Sequence, residues 1–161
     1  MGEVIKVGIA DWKICTGSDS VTTLGLGSCV GIAVWDTQLG IGGLAHIMLP
    51  DSTEIRNNAT RPKFADTGIA DMVEALIKAG AVKRRLNAKI AGGAQMFAFG
   101  NNNDMVRVGE RNVLAVKKKL NELGIPIKAQ DTGDSYGRTV VFTPSTGDFL
   151  IRAVGKPEKT I

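Results

Sequence analysis

The chain has 161 residues, 43% hydrophobic and 22% charged, with a formal net charge of +4 at pH 7, so residues 1–161 are expected to fold as one domain with its own core. No apolar run approaches the ~20 residues of a membrane helix, and MGEVIKVGIAD lacks a signal pattern, which argues against membrane insertion and for a cytoplasmic protein. The basic clusters KRR (83–85) and KKK (117–119) have no interleaved aromatics to stack on bases, so they read as a solvated helix face and loop, not a nucleic-acid surface; the charge could equally favour an acidic protein partner.

Taken in chain order, VIKVGIA (4–10) is a strand candidate, and a glycine-rich loop follows at TTLGLGSC (22–29). SCVGIAVWD (28–36) and IGGLAHIML (41–49) read as strands joined by a short turn at TQLG, a β-hairpin. In KFADTGIADMVEALIKAG (63–80), Ile69, Met72, Val73, Leu76 and Ile77 recur at helical spacing, with Gly80 where a left-handed C-cap falls. Another strand is expected at AKIAGG (88–93) and a second helix in ERNVLAVKKKLNELG (110–124), striped by Val113, Val116, Leu120 and Leu123 and stopped by Gly124 and Pro126. IPIKAQD (125–131), RTVVFT (138–143) and DFLIRAV (148–154) complete the strands, the last two forming a hairpin through PSTGD. Strands outnumber helices and do not alternate with them regularly, which predicts a mixed α+β layered fold over a doubly wound one.

The loop at 22–29 carries the functional question. A dinucleotide fingerprint fails because the third glycine position is Val30, one residue before Gly31, and because a strand pattern follows instead of a helix. A phosphate loop fails for want of Gly-Lys-Ser/Thr. Cys15 and Cys29 have no C-x-x-C spacing, which ranks a redox pair last; with the single His46 they make no zinc set, so neither metal nor organic cofactor is expected.

A nucleophile reading makes a geometric demand. Facing residues of an antiparallel hairpin have a constant number sum: near 75, Cys29 lies directly opposite His46, and near 77 the two are diagonal neighbours on one face, roughly 7 Å apart. A sum of 76 puts them on opposite faces. Composition alone also allows a small apolar cysteine in a core strand and a hydrogen-bonded core histidine. As catalysts, an imidazole would stabilise the Cys29 thiolate as an ion pair, Gly27 and Ser28 would let substrate approach backbone oxyanion donors, and Thr22 or Thr23 would fix the imidazole tautomer.

Thr23-Leu24-Gly25-Leu26-Gly27-Ser28-Cys29 and Ala45-His46-Ile47-Met48-Leu49-Pro50-Asp51-Ser52 form a specific pair of blocks. Lys63-Phe64-Ala65-Asp66-Thr67, Gly92-Gly93-Ala94-Gln95-Met96-Phe97, Arg111-Asn112-Val113 and Asp131-Thr132-Gly133 follow in order. The chain resembles the chemoreceptor glutamine deamidases of bacterial chemotaxis, the CheD family. The resemblance implies a Cys-His-Thr thiol hydrolase, with Cys29 as nucleophile, His46 as base and acid and Thr23 orienting the imidazole. It implies a layered α/β fold around a β-sandwich core flanked by helices, similar to deamidases of the cytotoxic necrotizing factor type. It implies methyl-accepting chemoreceptors as substrate and a CheC-type phosphatase as partner. An adaptor that binds both without catalysis is the alternative, and hydrolysis of glutamyl methyl esters is a related chemistry. Phe64 and Asp134 depart from the family's usual tyrosine and glycine at those places.

Overall fold

The computed structural model describes residues 2–54, 60–95 and 107–161. Met96 and Phe97 of the fourth matching block therefore lie outside the described residues. Among the described residues, ten strands and two α-helices build three layers. The outer sheet has the order β1-β3-β8-β9-β10, from Val4–Lys6, Ser20–Leu26, Arg138–Thr143, Asp148–Arg152 and Lys159–Thr160; β1 is parallel to β3, and the other neighbours are antiparallel. The central sheet has the order β2-β5-β4-β6-β7, from Asp11–Cys15, Ile41–Ile47, Val30–Asp36, Leu86–Gly92 and Ile127–Thr132. Helices α1 (Ala65–Lys78) and α2 (Val108–Glu122) form the third layer. No described helix is long and apolar enough to cross a membrane.

The period of two along β4 and β5 explains this layering. Ile32 and Val34 with Ala45 and Ile47 pack against Ile69, Met72 and Leu76 of α1 and Val116 and Leu120 of α2. Alternate residues, Ala33, Trp35 and Leu44, face the other way and meet Val21, Val140, Phe142 and Phe149 of the outer sheet. All seven residues of β4 are buried, as the apolar run predicts for a strand covered on both sides. Both described helices sit on one face of the central sheet and flank the β-sandwich there.

Helix ends follow the expected chemistry. Gly80, at φ +114°, ends α1 by donating to the Ile77 carbonyl while Ala81 N–H reaches that of Leu76; Gly124 and Ile125 close α2 in the same pattern. The predicted turns at TQLG and PSTGD join β4 to β5 and β8 to β9.

Three strands escape the sequence reading: β2, β10 and β3. The last matters most, because Thr22 to Leu26 are strand, not loop. A bulge between Thr23 and Leu26 absorbs Leu24 and Gly25, which leaves only residues 27–29 as the connection to β4. The basic clusters divide: Lys83 and Arg84 are exposed, but Arg85 turns inward to the wholly buried Asp36 at 2.9 Å.

Candidate active site

In the β4–β5 hairpin Gly31 faces His46, so paired numbers sum to 77. Cys29 is therefore the diagonal neighbour of His46 in continued register, on the face that looks across to the outer sheet. Glycine at position 31 leaves room for Leu26; a Cβ there would stand 3.0 Å from Leu26 Cδ1. His46 is wholly buried.

Across the sandwich, Thr23 on β3 reaches His46. Its Oγ1 lies 2.7 Å from Nδ1 and donates to the Val7 carbonyl at 2.8 Å. A hydroxyl has one proton, and a carbonyl can only accept. With that proton given to Val7, Thr23 must accept from Nδ1–H, which fixes the neutral ring with its lone pair on Nε2. Nε2 has no hydrogen-bond partner among the described residues. Thr22, the other candidate, points away and donates to the Val140 carbonyl at 2.8 Å. The neutral ring is favoured: burial pulls the His46 pKa down from 6.5 to about 4.

Cys29 is half-buried and packs against the core between the sheets. Burial raises its thiol pKa, with its own backbone N–H pulling the other way. The ion pair expected from the sequence thus gives way to a thiol beside a neutral imidazole, because burial disfavours both charges. The two are not hydrogen-bonded in this resting geometry. Cys15 stands apart on β2, its Sγ 3.6 Å from the Asp19 carbonyl and its pKa pushed up to about 11 by burial and by Asp19.

The loop carrying Cys29 is held from three sides. Gly93 N–H donates to the Cys29 carbonyl and Ala94 N–H to that of Gly27, both at 2.8 Å. Asn112, wholly buried on α2, donates through Nδ2 to the carbonyls of Ser28 and Met48, both at 2.9 Å. Gly27 N–H folds back on the Gly25 carbonyl at 3.0 Å, which makes Gly27 part of the loop wall; the Ser28 and Cys29 amides, without a backbone acceptor among the described residues, are the candidate oxyanion donors. Gly92, at φ +110°, must be glycine because any Cβ would collide with the Cys29 carbonyl. Beyond His46, Asp66 accepts from Ser52 N–H and Oγ at 3.0 and 2.7 Å and orders the chain leaving β5.

Sequence reasoning missed Val7 as part of this site and gave Asn112, which stands in the matching block Arg111-Asn112-Val113, no role of its own. Asn112 did leave a signal: it sits four residues before Val116, an amide inside an apolar stripe.

A family model described as CheD chemotactic sensory transduction matches residues 48–153. Relatives match the whole chain, and one from Lachnoclostridium phytofermentans, named probable chemoreceptor glutamine deamidase CheD, is 61% identical over 100% of both chains. The chain belongs to the CheD family. Two further CheD relatives, both named chemoreceptor glutamine deamidase, come from Halalkalibacterium halodurans, 50% identical over 100% of both chains, and Bacillus subtilis, 48% identical over 98% of this chain and 96% of the relative. The family model begins two residues past His46; the full-length relatives span the Thr23, Cys29 and His46 positions. Among solved structures, the Bacillus licheniformis hypothetical protein YfiH aligns with a TM-score of 0.44 at 17% identity, over 70% of this chain and 46% of that one.

The two departures from the CheD pattern have local explanations. Phe64 is 1% exposed, so a tyrosine hydroxyl there would need a buried partner. Asp134 adopts φ +57°, a left-handed conformation natural to glycine and tolerated by aspartate, and its carbonyl accepts from Gln95 N–H at 2.9 Å.

Proposed function

We propose that this chain is a protein-glutamine deamidase that converts glutamine side chains of chemoreceptors to glutamate, with Cys29 as nucleophile, His46 as base and acid, and Thr23 as the group that orients the imidazole. The observation that carries this reading is the Val7–Thr23–His46 chain of hydrogen bonds. It leaves Nε2 as a lone-pair base near a glycine-flanked cysteine, in a chain 61% identical to a relative named for this activity.

The chemistry begins from the neutral pair. As Sγ attacks the carboxamide carbon, its proton passes to Nε2 and the carbonyl oxygen becomes an oxyanion, received by the Ser28 and Cys29 amides. The imidazolium has both N–H groups, one held by Thr23 and one free to protonate the departing nitrogen. Collapse releases ammonia and leaves a thioester; His46 then takes a proton from water, hydroxide adds to the thioester, and glutamate departs as Sγ recovers its proton. Catalytic hydrogen bonds often tighten only in the substrate complex, in keeping with a thiol and Nε2 that are not bonded to each other in the resting site. Substrates of this reading are methyl-accepting chemoreceptors in the cytoplasm. Its further partner is a CheC-type phosphatase, supported by the family resemblance.

Cys29→Ala tests the reading. It should abolish ammonia release and the mass gain of about 1 Da per glutamine converted, with the fold retained. Turnover at the wild-type rate in that variant would overturn the assignment.

A further inference from the structure

We infer that Asn112 is a positioning residue that aims the Cys29 amide at the oxyanion of the reaction proposed above. Its Nδ2 donates to the Ser28 carbonyl, and that carbonyl shares a planar trans peptide with the Cys29 N–H. The N–H points opposite to the carbonyl. Pinning the oxygen toward α2 therefore turns the N–H away from α2, to the face of the sheet that carries the Cys29 side chain, where it approaches Cys29 Sγ. A hydrogen bond to the carbonyl also polarises the peptide and strengthens its N–H as a donor.

The other Nδ2 hydrogen goes to Met48, two residues past His46. One side chain thus ties the peptide bearing the oxyanion donor to the residue that follows the strand bearing the base. Two carbonyl acceptors require the NH2 end of the amide to face them, so the orientation of Asn112 is fixed by its partners. That leaves Oδ1 buried without a partner among the described residues. A buried orphan acceptor costs stability, a cost an apolar residue in the stripe of Val113, Val116 and Leu120 would not carry. Asn112 is itself buried and cannot touch substrate; its effect must pass through the loop.

An oxyanion role separates two reactions of the same thiol. Acylation by p-nitrophenyl acetate builds an oxyanion and expels p-nitrophenolate, whereas alkylation by iodoacetamide displaces iodide and builds none. Asn112→Ser cannot span both carbonyls. It should slow acylation about 100-fold, in the range seen when an oxyanion donor is lost, while Cys29 alkylation stays within about threefold of wild type, as it does not use that donor. Val116→Ala, which loosens the packing of α2 without touching either hydrogen bond, should change the ratio of the two rates little and serves as the control for weakened helix docking. Acylation near the wild-type rate in Asn112→Ser, a parallel fall of both reactions, or the same split in Val116→Ala would overturn the inference. A wild-type protein that acylates with the ester yet frees no ammonia from receptor glutamine would instead overturn the deamidase reading, leaving the Asn112 comparison readable on the ester.

Discussion

Thr23→Val removes one hydroxyl and keeps the side-chain shape, so its effect can be worked from two hydrogen bonds. The bond from Nδ1 to Oγ1, 2.7 Å long, selects the tautomer at rest and holds the imidazolium during turnover. Hydrogen bonds to charged groups contribute about 1.5–3 kcal/mol, which converts to a fall in kcat of roughly 10- to 150-fold. KM should barely move, because Thr23 is 1% exposed and out of reach of substrate. The 2.8 Å bond to Val7 is lost as well, and its orphaned carbonyl should lower folding stability by about 1–3 kcal/mol. Thr23→Ser keeps both bonds and should stay within a few-fold of wild type. Ammonia release from a glutamine-bearing receptor fragment, followed across substrate concentration, separates kcat from KM. A folded Thr23→Val enzyme within threefold of the wild-type kcat, or a serine variant as slow as the valine one, would refute the reasoning.

Acid stability should report His46 directly. Its folded pKa lies below the unfolded value of 6.5, near 4, so the unfolded chain binds the proton more readily and stability falls as pH drops from about 6.5 toward 4. The slope is at most about 1.4 kcal/mol per pH unit, and urea unfolding at several pH values should show it flattened in His46→Gln across that window; an unchanged slope would contradict a buried neutral ring. Gly92→Ala should damage the site and the fold together, since the new Cβ meets the Cys29 carbonyl and the backbone conformation is left-handed. Urea unfolding should register a loss above about 1 kcal/mol and the ammonia assay a fall in kcat, whereas wild-type values in both would mean that the Cys29 carbonyl does not approach Gly92 closely.

Much of the molecule follows from local sequence. The apolar stripes of α1 and α2, their glycine stops and the turns at TQLG and PSTGD place most of the elements, because helix and strand periods and turn conformations are written in neighbouring residues. The same local reading stops short at β3: glycines at 25 and 27 suggest a loop, yet pairing with β8 holds Thr22 and Thr23 in a strand and confines the irregularity to a bulge. The hairpin limited Cys29 and His46 to three registers, and only the assembled sheet selected the one summing to 77. Motif resemblance named Thr23, but its meeting with His46 depends on two sheets facing each other, and the tautomer depends on a third residue, Val7, sixteen positions upstream. Asn112 lies 84 residues from Ser28 and 64 from Met48, separations at which no periodicity carries information. The sequence by itself determined most of the elements and supplied the chemical groups, since propensity and pattern act over a few residues. Tertiary packing decided which groups meet, how burial sets their charge, and which nitrogen is left to act as base.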